Sequence, residues 1–331
     1  MTASFTLPNN SWRRLLIGAG GGLASVAMFY SAARGGVGFS MLLLPLVPLP
    51  LMIAGFGWGL PAAIAAAVTS TIALAFAVAP SFAAGYACSL ALPVIGLTHL
   101  LTLARYNPDG TLVDWFPAGR ILMAIALYGA ALPVLMIALE GGSYALMAPE
   151  FTRFFNQLAA QAPIGSSWRT MDAAQIQSLV DLWVKLMPGV IASYWTIFFA
   201  INAYLAARIV RISGRFVRPW PNLHWLTFPP LFALAFLAAI GGVAIGGSLR
   251  ELGIGAIGAF SVAFLLQGLS VIHAIAKQRA ATWLISAVYA AIIVGGALAM
   301  PLITVLGLAE TVTRLRSRIV PIPPALPLGS I

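Results

Sequence analysis

The stretch from Gln267 to Arg279, QGLSVIHAIAKQR, sets an amide, a hydroxyl, an imidazole and an ammonium into an otherwise apolar run. On a helix, Gln267, Ser270, His273 and Lys277 fall at about 0°, 300°, 240° and 280°. They form one polar stripe, with Leu265, Leu269, Ile272 and Ile275 on the other face. Inside a membrane segment such a stripe must face protein or water. Lys277 and Arg279 mark its end at a membrane surface, where Lys277 and His273 snorkel toward water. Gln267 and Ser270 are then its deep members, with Asn202, mid-way along another apolar run, as a partner across the bundle. A third apolar run carries Pro45, Pro48 and Pro50. Prolines free backbone carbonyls and kink a helix, and irregular backbone is tolerated in a bilayer only against protein or a water-filled cavity. The candidate small-molecule-binding residues are therefore Pro45, Pro48, Asn202, Gln267, Ser270 and His273. Each has a plainer reading: a buried kink for the prolines, helix-to-helix hydrogen bonds for the amides and the hydroxyl, an interfacial ring for His273.

Other chemistries find little support. His99, His224 and His273 are far apart, and Cys88 is the single cysteine, so no metal set or intrachain disulfide suggests itself. No HExxH, Walker A or GxSxG motif is present, and no paired acids or Ser/His pair stand at workable spacing. The expectation is a protein that is not an enzyme, with no catalytic residue and no cofactor. Glu140 and His273 are the membrane groups that could titrate. Both lie near helix ends, which argues against a proton pump. Without an ATPase motif, energy for transport would have to come from a partner or an ion gradient.

The elements that must hold these residues are membrane helices. The chain is 61% hydrophobic and 8% charged, with mean hydropathy +0.97, where a soluble protein carries roughly 25% charged residues. Uncharged runs long enough to span a bilayer recur along it. The fold class expected is all-α: a polytopic transmembrane helix bundle of eight to nine spans, with an extracytoplasmic amphipathic segment. The formal charge of +10 reads as orientation signal and contact with the lipid bilayer, not as nucleic-acid binding. Residues 1–14 form an N-terminal tail, 15–140 the first transmembrane helices, 141–186 the amphipathic segment, 187–307 the later transmembrane helices and 308–331 a polar C-terminal tail. Arg13 and Arg14, the 105–120 loop, Arg208 to Arg218 and Lys277/Arg279 all fall on the cytoplasmic side if the N-terminus does. One conflict stands: nine spans put Arg314, Arg316 and Arg318 outside, so either one segment does not cross or the tail breaks the rule.

The Gln-Gly-Leu-Ser-Val-Ile pattern at 267–272 resembles the YybS-like bacterial membrane proteins, a largely uncharacterised family. So do PLVPLPLMIAGFGWGLPAA at 45–63, Trp-Leu-x-Phe-Pro at 225–229 and Leu-Gly-Leu-x-Glu…Arg at 306–314. That family is distantly similar to the substrate-binding S components of energy-coupling-factor transporters. The resemblance implies a multi-pass protein of a bacterial inner membrane that binds or transports a small molecule, with a coupling subunit or other membrane protein as partner. The alternative is a membrane scaffold or assembly protein without a ligand pocket. S components present an AxxxAxxxA face on their first helix; here the face is glycine-rich (Gly18, Gly20, Gly21, Gly22), and Met28 breaks the series.

Overall fold

Close helix packing begins at the glycines of α1 (Ser11–Arg34). In the computed structural model, which describes residues 11–108, 111–140, 144–163 and 165–319, α1 lies along α4 (Leu60–Ala77). A methyl group added at Gly18 would overlap the Ala62 carbonyl, and one at Gly22 the Ala66 carbonyl. This small-xxx-small approach occupies the Gly18/Gly22 face inside the chain.

The proline run breaks as expected. α2 (Val37–Leu43) passes into a 3-10 turn, Leu44–Leu46, and then α3 (Leu49–Trp58). α5 (Pro80–Tyr86) continues through a π turn into α6 (Leu92–Thr102). The following loop holds a feature the sequence reading lacked: strands β1 (Ala104–Tyr106) and β2 (Leu112–Trp115) pair antiparallel. Asp109 and Gly110 of the expected Asn-Pro-Asp-Gly turn lie outside the described residues, as do 141–143 and the side chain of Glu140. α7 (Ala118–Glu140) follows.

α8 (Ala148–Gln161) and α9 (Ala173–Ile212) form the next unit. α9 has 40 residues, about 60 Å at 1.5 Å per residue, or twice a hydrocarbon core of ~30 Å. It fuses the amphipathic helix and the span beginning at Pro188, which the sequence had suggested as two elements. A capping box of Asp172 and Gln175 fixes its start. Its first turns bury Ile176 and Val180 against Phe155 of α8, so the amphipathic stretch is a platform for α8 and not a separate strap.

α10 (Pro230–Ile245), α11 (Ser248–Gln278), α12 (Thr282–Thr313) and α13 (Leu315–Ile319) complete the bundle. Phe228, Phe232, Phe260 and Phe264 pack edge-to-face between α10 and α11. α12 bends at Gly295, which leaves helical geometry (φ −112°, ψ 28°). Both its ends approach the same linker between α9 and α10. Near the end of α11, just before α12 starts, the His273 ring lies 6.2 Å from that of His224, and Arg316, just past the end of α12, donates to the His224 carbonyl. The C-terminal arginines thus return to the end of the bundle that carries Arg208 to Arg218. The helix also runs to Thr313, six residues into the expected C-terminal tail; residues 1–10 and 320–331 of the two tails lie outside the described residues. Among the described residues, seven helices are long and apolar enough to cross a membrane, and the shorter apolar stretches are α10 and the two arms of α12.

Candidate functional site

The linker from Asn222 to Pro229 is short of regular structure, so its carbonyls need partners from outside it. Asn222 caps a 3-10 turn, Leu223–Trp225, by accepting from the His224 N–H. Beyond that turn the polar groups come from α11 and α13. Ser270 donates to the Leu223 carbonyl at 2.8 Å. Arg316 donates to the carbonyls of His224 and, at 2.8 Å, Leu226, and to Ser270 Oγ at 3.0 Å. Its guanidinium also lies 3.2 Å from Glu310 and 4.9 Å from the centre of the Trp225 ring. The Arg316 backbone N–H donates to the second Glu310 oxygen at 2.8 Å. That reversal is possible because Arg314 adopts the left-handed conformation (φ 51°, ψ 45°), uncommon outside glycine.

Arg316 has no exposed surface and Glu310 has 4%. Burial pushes the Arg316 pKa down, and Glu310 opposes the shift by charge and hydrogen bonding. Such a pair is held by its geometry, since desolvation offsets much of the Coulomb gain. Here the geometry fixes three parts of the chain that are far apart in sequence: the linker, the last third of α11 and the turn after α12.

Gln267 lies one turn deeper. Its Oε1 accepts from Thr311 Oγ1 at 2.8 Å, whereas its Nε2 has no partner among the described residues although the residue is fully buried. Gln267 forms part of the wall of a cleft of about 470 Å³, together with Arg120, Trp225, Thr227, Arg314 and Arg316. On the opposite side of the linker, Leu226 and Leu266 line an apolar cavity of about 500 Å³ between α7 and α9. The linker therefore separates a polar cleft from an apolar one.

The expected stripe divides by role. Gln267 lines the polar cleft, and Ser270 holds the linker. His273 turns to its own helix, its Nδ1 2.8 Å from the Leu269 carbonyl oxygen, with its ring 5.9 Å from Tyr289; it lines neither cavity. The pKa of His224 is lowered by burial first, and further by Lys277, His273 and Arg316.

Asn202 belongs elsewhere. Its Nδ2 donates to the Pro45 carbonyl at 2.6 Å and to the Phe198 carbonyl at 2.7 Å. Pro45 is the residue whose helix has been interrupted, so the amide answers a carbonyl that the proline run freed. The Pro48 carbonyl accepts normally from Met52 at 3.0 Å within α3. Neither cavity is lined by Pro45, Pro48 or Asn202. The expected pairing of Asn202 with Gln267 is thus corrected: each amide serves a different helix contact.

Two features of the arginine-rich end were also not foreseen. Arg218 donates to the Phe116 carbonyl at 3.1 Å and faces the Trp115 ring; burial lowers its pKa and Asp114 opposes the shift. Arg208 and Arg211 face Trp220, and Arg215 faces Trp58. The missed residues of the site are Glu310, Thr311 and Arg316. Their signal was present: no acid other than Glu310 follows Glu251, and it precedes three arginines after an apolar run. Among the described residues, no three His, Cys, Asp or Glu side chains come together as a metal site.

Helical architecture and apolar composition define an integral membrane protein of the all-α bundle class. No family model, no curated protein and no solved structure matches this chain.

Proposed function

We propose that this membrane protein binds a small molecule in the cleft lined by Gln267, in keeping with the resemblance to YybS-like and S-component proteins. One observation carries the reading: Gln267, whose buried amide nitrogen has no partner among the described residues, forms part of the wall of a cleft of about 470 Å³. Buried polar groups are almost always satisfied, and a cleft of this volume falls within the range of ligand sites. The binding residues in this reading are Gln267, Thr227 and the arginines around them; Ser270 and Arg316 shape the site through the linker. The role is binding or transport, not catalysis, and a coupling subunit or other membrane protein would supply energy for transport.

The same reading gives eight crossings in a bacterial inner membrane, with the N-terminus cytoplasmic. α12 then enters and leaves at one surface, and Arg314, Arg316 and Arg318 obey the positive-inside rule. The 144–186 segment lies outside the membrane.

A scaffold role is the second reading, and Asn202 favours it. That amide is fully buried and hydrogen-bonded to Pro45, and it lines neither of the two cavities beside the linker, as expected of a purely structural bond. Native mass spectrometry of the purified protein discriminates. A co-purified small molecule retained by the wild type and lost in Gln267→Leu supports the binding reading. Retention of nothing by the wild type, with the protein folded, leaves the scaffold.

A further inference from the structure

The apolar cavity across the linker has its own chemistry. Ile121 and Ile125 of α7, Ala203 of α9 and Leu266 of α11 form its inner wall. It opens at the outer surface of the bundle, where the lining residues Ile201 and Tyr204 of α9 and Tyr289 of α12 are exposed. α9 is long and apolar enough to span a membrane, so in a bilayer this mouth meets lipid. Left empty, the space would forfeit contacts along its lining, and water inside it would lack polar partners. Arg218, the charged side chain in the wall, is buried and already donates to the Phe116 carbonyl. Whatever fills the cavity is therefore apolar.

The rim differs in kind. Arg208 follows Tyr204 by one helical turn, and Arg211 follows Ala207, so each arginine lies beyond a lining residue on the same helix face. Their guanidinium groups lie 5.6 and 5.1 Å from the centre of the Trp220 ring, and Trp220 also lines the cavity. Both arginines are exposed, and neither is paired with a carboxylate among the described residues. In sequence no acid stands between Asp181 and Glu251. Depth fits as well. From Ile197, the first lining residue of α9, to Arg208 the helix rises about 16 Å, about half of a hydrocarbon core of ~30 Å.

We infer that the cavity takes one acyl chain of an anionic phospholipid, with the lipid phosphate against Arg208 and Arg211 beside Trp220. The apolar wall, one leaflet deep, suits the chain. Guanidinium groups suit phosphate because they present parallel N–H donors to two oxygens, and tryptophan belongs at headgroup level. A choline headgroup would bring a cation to the same arginines, so the site prefers a lipid with net negative charge. The inference goes beyond the small-molecule reading and does not depend on Gln267.

Full-length protein in nanodiscs of phosphatidylcholine and phosphatidylglycerol tests it. A trace of phosphatidylglycerol carries a diazirine near the end of one acyl chain, and photo-adducts are mapped by peptide mass spectrometry. Adducts are expected on Ile121, Ile125 or Leu266 in the cavity wall, as well as on the exposed Ile293 of α12. Unlabelled phosphatidylglycerol should displace the wall adducts in preference to phosphatidylcholine. Arg208→Gln/Arg211→Gln should reduce that preference about 25-fold, about fivefold for each arginine near an anionic surface, while labelling of Ile293 persists. Lys185→Gln/Arg250→Gln, at exposed positions outside the cavity, should leave it unchanged. Ala203→Phe fills the space and should remove the wall adducts, with thermal melting to check its folding; if it does not fold, the arginine pair decides alone. A wild type labelled at Ile293 but not in the wall overturns the inference. So does a wall site that phosphatidylcholine displaces as well as phosphatidylglycerol does, or one weakened equally by the two double variants.

Discussion

Asn202 and Gln267 are both primary amides, both fully buried in membrane helices, and they differ in which end is satisfied: among the described residues Asn202 lacks a partner at Oδ1 and Gln267 at Nε2. Asn202 gives both N–H donors to carbonyls at 2.6 and 2.7 Å, one of them exposed by a proline-broken helix. Gln267 accepts one hydrogen bond, its donors have no partner among the described residues, and the residue forms part of a cleft wall. Residue type and depth alone therefore do not separate a structural amide from a binding one. What separates them is whether nearby broken backbone uses up the donors.

The largest way to disturb this contrast is through Arg316. Replacing it by Met strands Glu310 in the interior and frees three groups it holds; breaking a buried pair this way costs about 3–5 kcal/mol. Thermal melting in detergent should show that loss, and the double variant Arg316→Met/Glu310→Leu should melt above the single Arg316→Met. A double variant no more stable than the single would mean that the linker contacts outweigh the ion pair.

Next in size is the pair of amide substitutions. Asn202→Leu leaves the Pro45 carbonyl unsatisfied and should lower stability by about 1–3 kcal/mol without changing ligand retention. Gln267→Leu removes one interhelical bond of ~0.6 kcal/mol and should abolish retention. Reversal of these two outcomes in paired melting and mass-spectrometry measurements would exchange the roles assigned to the two sites.

A smaller effect is set by pH. The pKa of His224 lies below its ordinary value of 6.5, so the fold favours the neutral ring. Its contribution to stability is complete above that value and declines as pH falls through the window beneath it, because the unfolded chain takes up the proton first. Melting profiles between pH 7.5 and pH 5 should show the decline in the wild type, and His224→Gln should flatten it. Smallest is Arg211→Gln: removing one cation from the Trp220 face should cost about 0.5–1 kcal/mol and leave the polar cleft untouched, as checked by the same melting and retention assays.

Much of this was legible in the residues. The spacing of Gln267, Ser270, His273 and Lys277 marked one polar helix face, and that face does meet protein and a cleft. The three prolines from Pro45 to Pro50 called for protein against them, and Asn202 answers. The partner of Gln267 was not legible, because Thr311 is 44 positions away and helical periodicity says nothing about which helices touch. Arg316 was hidden by its neighbours: in sequence it is one of three tail arginines, and only the left-handed turn at Arg314 brings it inward. The β-hairpin escaped because strands of three and four residues carry no periodic signal. The fusion across Pro188 escaped because proline ordinarily marks a helix start or kink.

The Arg316 contact also sets an order in time. The linker carbonyl it grips belongs to His224, 92 positions earlier. At ribosomal rates of roughly 5–20 residues per second, that linker waits on the order of five to twenty seconds between its own synthesis and the arrival of its guanidinium. During that interval α10, α11 and α12 are made after α9, and the linker has only its own cap until Ser270 arrives about halfway through. The polar cleft is accordingly one of the last parts of the molecule to be born. A ribosome halted just before residue 316 would hold a chain in which the linker still lacks its Arg316 contacts.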